Sequence, residues 1–174
     1  TISAALQPQR YKHARSTHPL RIAVLDDALF TDADKAVKDS LGKIHTQLHN
    51  AGHQVTSLKS TVDLTASLSL HQTVLEYELS HIYGELETTH PDKVSEAWLA
   101  AIRRGKKIED GVYADALHRI LQMQLTFWDA CADIDVLIAP AAPDIAPEGM
   151  KTGDPRYIIP LTALGGPIST VPVG

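Results

Sequence analysis

Several side chains in this sequence have types and spacings that can do chemistry. His45, His49 and His53 recur every fourth residue, which places the first two on one helix face, where paired imidazoles can bind zinc. Such a site needs a third or fourth ligand, and the sequence has neither an H-E-x-x-H run nor a cysteine pair. A solvated face near a helix C-terminus is therefore the reading adopted, and no metal is expected. Cys131 is the single cysteine. A thiolate nucleophile needs an activating histidine, which the sequence does not place beside it, so with Trp128 and Ala132 as neighbours it reads as a buried thiol in a reducing compartment. Arg103, Arg104, Lys106 and Lys107 form the strongest basic cluster; cations at a helix end favour the macrodipole, and a solvated helix end is expected. Glu85, Glu87 and Asp92 read as surface carboxylates.

The most informative stretch runs from Asp133 to Gly174. Val136, Leu137, Ile138 and Ala139 form a short apolar run of buried-strand type, and Pro140, Pro143 and Pro147 prevent a helix from continuing it. A stiff loop must follow. Gly165 and Gly166 permit close backbone approach or positive φ, and Ile168 to Val173 is again β-prone, with Pro172 suggesting an edge or a strand end.

These residues carry a resemblance. Asp135, Leu137, Pro140, Pro143, Ala146 and Pro147, followed by Gly165, Pro167, Val171, Pro172 and Gly174, fall on the pattern D-x-L-x-x-P-x-x-P-x-x-A-P and G-x-P-x-x-x-V-P-x-G of the amidase signature family. Upstream, Arg104 and Gly105 with Tyr113, Ala116, Leu117 and Arg119 resemble the family's helical run, and Arg21 to Leu25 resembles the strand that opens its second half. The resemblance covers roughly residues 20 to 174.

It implies an α/β fold, part of a mixed β-sheet flanked by α-helices, and hydrolysis of carbon–nitrogen amide bonds by a serine nucleophile with a bridging serine and a lysine base. It also implies that Pro140, Ala141, Pro143 and Ala146, together with Gly165, Gly166 and Pro167, lie near the substrate cavity. The catalytic segment is absent: no G-G-S-S-G-G-like run occurs in the sequence. The chain therefore reads as the C-terminal, pocket-forming half of an amidase, with residues 1 to 20 as a linker and 21 to 174 as the half-domain, inactive alone. It starts at Thr1 and stops at Gly174 after a strand-like run, and both ends read as cut. The partners this implies are a small amide substrate and the missing N-terminal half, with homo-oligomerisation left open and no cofactor expected. The alternative is a non-catalytic accessory or scaffold protein that keeps the half-fold.

Composition sets the outer bounds. At 174 residues and 44% hydrophobic content the chain can build a sizeable core. Its net charge of −5 leaves no basic footprint for nucleic acid or an anionic membrane, and no apolar run is long enough to span a bilayer. A cytoplasmic location is expected.

The elements that must position the loop follow from periodicity. Arg21 to Leu25 predicts a strand; its R-I-A-V-L-D-D run, ending in Asp26 and Asp27, also resembles the acidic pair of a phosphoacceptor receiver domain, which would hold Mg²⁺. The long helical stretch after Leu58 disagrees with a receiver, and ordinary loop carboxylates are the better account. Ala33, Val37, Leu41, Ile44 and Leu48 predict a helix capped by Thr31 or Asp32 and closed by Gly52, and Gln54 to Leu58 a second strand. Three helices should follow. The first is capped by Asp63 with a stripe of Leu64, Leu68, Leu75, Leu79, Ile82 and Leu86, and the second starts at Pro91 and buries Val94, Trp98, Ala101 and Ile102. The third follows Tyr113, Ala116, Leu117, Ile120, Phe127, Trp128 and Cys131.

Overall fold

The computed structural model describes residues 18–149 and 152–173; most of the expected linker, Met150, Lys151 and the motif's last glycine, Gly174, lie outside them. The chain forms two compact units. Among the described residues, one comprises those up to Ser60, those from Cys131 to Tyr157 and those from Gly165 onward, the other Thr61–Ala130 and Ile158–Leu164.

The first unit is built on a parallel sheet of three strands in the order β2-β1-β3, with β1 at Arg21–Asp26, β2 at Gln54–Lys59 and β3 at Val136–Ile138. Parallel neighbours need a crossover, and between β1 and β2 helix α1 (Lys35–Asn50) provides it. Ile22, Ala23 and Leu25 of the central strand are all buried, the consecutive apolar pattern of a parallel strand covered on both faces. Ile22 lies opposite Val55 on one side and Val136 on the other. Arg21 locks that register. Its backbone N–H donates to Asp135 Oδ2 at 2.8 Å, its guanidinium bonds both Asp135 oxygens and reaches Asp133, and the Asp135 N–H returns a bond to the Arg21 carbonyl. The hydrogen bonds from Arg21 hold the Asp135 carboxyl down at about 2.

Helix α1 starts at Asp34, whose carboxylate accepts from the Ala36 N–H at 2.7 Å. This is later than the expected cap at Thr31 or Asp32, because a 3₁₀ turn at Ala28–Phe30, capped by Asp27, comes first. The helix buries none of its residues fully; Val37, Leu41, Ile44 and Leu48 are half-buried. It ends before Gly52, whose φ of 90° suits glycine. His45 and His49 are exposed, and His53 Nδ1 accepts from the Leu20 N–H at 3.2 Å, so the three do not converge.

One strand expectation is corrected. Ile168 to Val173 forms no strand and is exposed throughout. A strand exists only where a neighbour completes its hydrogen bonds; among the described residues none does, and Pro172 removes a donor from the run.

The second unit is helical, with α2 at Leu64–Tyr83, α3 at Leu86–Thr89, α4 at Glu96–Gly105, α5 at Asp110–Ala130 and α6 at Ile158–Ala163. Asp63 caps α2 as expected, accepting from the Ala66 N–H at 2.9 Å. The buried face differs from the expected stripe: Leu64, Ser67, Leu70, Glu76, Leu79 and Ser80 are buried, while Leu75 and Ile82 are exposed. The reason is close helix contact. A Cβ on Gly105 would come within 1.9 Å of the Glu76 carbonyl oxygen, so α4 and α2 approach backbone to backbone where only glycine fits, and that approach selects which residues of α2 face inward. Pro91 opens a short 3₁₀ turn instead of α4, which Ser95 caps; α4 then buries Leu99, Ile102 and Gly105 and leaves Trp98 exposed.

The expected stripe of α5 is buried at Ala116, Ile120 and Phe127, and Leu70, Ala116 and Ile120 pack with Val74 and Met123. At the end of α6, the Gln124 side chain donates to the Ala163 carbonyl at 2.8 Å and Trp128 Nε1 to the Leu164 carbonyl at 2.7 Å, satisfying carbonyls that a helix end leaves open. Cys131, just past α5, is buried, and burial raises its thiol pKa; it is no ready nucleophile.

Three of the four residues of the basic cluster pair with neighbouring carboxylates. Arg103 bonds Glu87 at 2.7 Å and Glu96 at 2.9 Å, Lys106 bonds Glu87 at 2.7 Å, and Arg104 pairs with buried Glu76. Burial works against the Glu76 charge, yet bonds from Arg104 and Gln72 outweigh it and hold the pKa below the ordinary value.

Candidate functional site

Because β1 and β3 are parallel, the loops that leave them emerge at the same edge of the sheet, the carboxyl edge, where open α/β sheets bind ligands. Residues 27–34 leave β1 and residues 139–147 leave β3. They meet there: the Asp34 N–H donates to the Pro143 carbonyl at 2.7 Å. With residues 152–157 they enclose an open concavity of about 400 Å³, lined by Asp32, Asp34, Pro143, Asp144, Asp154 and Arg156, a volume at the small end for a ligand site.

Three interactions fix this corner. The buried Tyr157 donates its hydroxyl to Asp32 Oδ1 at 2.6 Å, and its ring meets Phe30 edge-on with centroids 4.9 Å apart. Arg156 Nη2 lies 2.7 Å from Asp32 Oδ2 and its Nε 3.3 Å from Asp154. Asp154 Oδ1 accepts from the Arg156 N–H at 2.9 Å. The electrostatics follow. Burial and the bond to Asp32 push the Tyr157 hydroxyl up to about 12, while the bond from Tyr157 and the charge of Arg156 hold Asp32 below its ordinary value.

The residues expected near the substrate are distributed unevenly. Pro143 is buried with its edge lining the concavity, and Pro140, three residues earlier, is buried too; Ala141 and Ala146 are exposed. Gly165 turns the chain after α6 with a φ of 73°, Gly166 is half-buried and Pro167 exposed. None of these three lines the concavity. Sequence reasoning gave Asp32 only a helix-capping role and passed over Asp34, Asp144, Asp154 and Arg156. The D-x-D of residues 32 to 34 and the D-P-R-Y of residues 154 to 157 were the available signals, but nothing in their spacing says that segments 120 residues apart share one corner.

The concavity holds four carboxylates, one guanidinium and no serine, cysteine or lysine, so it can orient a ligand but offers no hydroxyl, thiol or amine nucleophile. Among the described residues no three histidine, cysteine or acidic side chains converge as metal ligands, and no helix is long and apolar enough to cross a membrane. A second concavity, about 390 Å³ in the helical unit, is lined by Thr61, Val62, Asp63, Ala66, Arg119, Gln122, Met123 and Thr126.

No protein-family model matches the chain, and no curated protein matches it in sequence. Solved structures do. A crystal structure of an amidase superposes with a TM-score of 0.72 at 17% identity, covering 87% of this chain and 38% of that one. An inhibitor-bound structure, described as a vestigial protein complex that reveals the evolutionary origins of an s-triazine catabolic enzyme, gives 0.66 at 18% identity, covering 84% and 34%. The 6-aminohexanoate cyclic dimer hydrolase with its substrate gives 0.60 at 16% identity, covering 80% and 30%. The chain thus has part of an amidase-type fold and spans about a third of the length of these solved chains.

Proposed function

We propose that this chain is the pocket-forming part of an amidohydrolase that cleaves carbon–nitrogen amide bonds in a small-molecule substrate. The observation that carries this is the amidase-type fold over 87% of the chain, with the D-x-L-x-x-P-x-x-P-x-x-A-P run placed on β3 and on the loop at the carboxyl edge of the sheet. In the intact enzyme a serine supplied outside these 174 residues attacks the carbonyl, a second serine and a lysine move the proton, and backbone N–H groups stabilise the oxyanion. Pro140, Ala141, Pro143 and Ala146, with Gly165, Gly166 and Pro167, contribute to the wall around the acyl or leaving group. Prolines suit that role because fixed φ angles lower the entropy lost when a loop is ordered. The partner is the body that carries the Ser-Ser-Lys segment, and the buried thiol of Cys131 fits the reducing cytoplasm.

A second reading has its own support. Two of the matching structures are described as a vestigial protein complex, which favours a non-catalytic accessory chain that keeps the half-fold. One experiment separates the readings: the intact mass of the native gene's product, with amide hydrolysis measured before and after a serine-directed reagent. The expected result is a mass well above 18.9 kDa, with hydrolysis that the reagent abolishes. A product near 18.9 kDa that hydrolyses no amide selects the accessory reading.

A further inference from the structure

We propose that Asp32, Arg156 and Tyr157 form a positioning knot that fixes the proline loop at the carboxyl edge of the sheet and thereby tunes substrate affinity; the affinity part rests on the amidase reading. The loop is packed through its buried Pro140 and Pro143 but has few hydrogen bonds of its own. Pro140, Pro143 and Pro147 lack an N–H, and the Ile145 N–H turns back onto Asp144 within the loop. Among the described residues, the bond from the Asp34 N–H to the Pro143 carbonyl is the one backbone hydrogen bond outside the strand ladder that ties residues 140–147 to the rest of the unit. Where Asp34 sits therefore bears directly on where the loop sits around Pro143.

Asp34 is in turn held from both sides. Its carboxylate caps α1, and two residues earlier both oxygens of Asp32 are engaged, Oδ1 by Tyr157 and Oδ2 by Arg156. Tyr157 is fully buried and anchors the knot in the core against Phe30, and the Arg156 guanidinium lies 5.5 Å above the Tyr157 ring. The outer half faces the concavity, with the Arg156 side chain 39% and the Asp32 side chain 57% exposed. A contact serving only the core would need no such open half. Here one end is core and the other lines the space that the loop borders, so a change in the knot is transmitted to the mouth of the concavity.

The test uses the native gene product with Tyr157→Phe and Asp32→Asn, and Arg156→Lys as the conservative variant. Hydrogen exchange is followed at the Asp34 amide, the donor to the loop, with β1 amides as the internal control, and kcat and KM are measured on unbranched aliphatic amides. The first two variants should speed exchange at Asp34 about tenfold while β1 is unchanged. They should raise KM about three- to tenfold with kcat within about twofold, and Arg156→Lys should fall between them and wild type. Unchanged exchange at Asp34, or β1 amides accelerating in step, overturns the knot. So does a fall in kcat at constant KM. If the gene product hydrolyses no amide, the amidase reading falls, and exchange alone decides the knot.

Discussion

The helical unit and the sheet unit are held together by different devices. In the helical unit, specificity sits at a crossing where Gly105 lets α4 meet the backbone of α2 and where a buried carboxylate, Glu76, is matched by Arg104. In the sheet unit the central strand is buried by its own apolar run, and specificity sits at the ends: the Arg21–Asp135 lock at one edge, the Asp32–Arg156–Tyr157 knot at the other. The difference teaches that helix packing here depends on the absence of one side chain, whereas strand placement depends on the presence of a few charged ones. The first is intolerant of any added atom; the second weakens by degrees and titrates.

That contrast is sharpest at Gly105. Gly105→Ala drives a methyl into the Glu76 carbonyl and should destabilise the helical unit by about 3 kcal/mol or more. Both tryptophans of the sequence, Trp98 and Trp128, lie in this unit, so their fluorescence during urea denaturation reads the effect. A change below about 0.5 kcal/mol would mean that the helices part at little cost, and the crossing would lose its special status.

A smaller loss is expected at the start of α2. Asp63→Ala removes the acceptor for the Ala66 N–H and should cost about 1 kcal/mol on the same readout. If it costs as much as Gly105→Ala, local capping rather than backbone approach dominates the helical unit.

The weakest effect belongs to the sheet unit. The folded state holds Asp135 at about 2, below its ordinary value of 3.8. A depressed carboxyl contributes stability that is full above its unfolded pKa and is lost as pH falls through the folded one, so the Arg21 lock should weaken between about pH 4 and pH 2. Arg21→Gln should flatten that part of the acid stability profile in hydrogen exchange of the β1 and β3 amides. An unaltered profile would show that the register is kept by strand packing alone.

Strands β1, β2 and β3 and helices α1, α2 and α5 were legible because their signals are local: apolar runs of strand length, a three-to-four residue period, Asp63 before Leu64, Gly52 after α1. The N-terminus of α1 was displaced because Asp27 and the turn at Ala28–Phe30 used the residues between. The Ile168 to Val173 run read as a strand because β-propensity describes a residue's fitness for a ladder without supplying the neighbour. Pro143 was found within a recognisable loop, but its companions were not, since Asp32 reads alone as a helix cap and Asp154 and Arg156 as ordinary surface charges.

By itself the sequence determined the α/β alternation, the absence of a Gly/Ser-rich nucleophile segment and the stiffness of the proline loop, because each follows from residue type and short-range spacing. Only the tertiary structure decided which face of α2 is buried, why position 105 must be glycine and which carboxylates share the corner with Arg156. Those outcomes depend on distances between segments far apart in the chain. Such distances are fixed by how closely two backbones can approach and by which charges meet when they do, and neither is encoded within one turn or one strand.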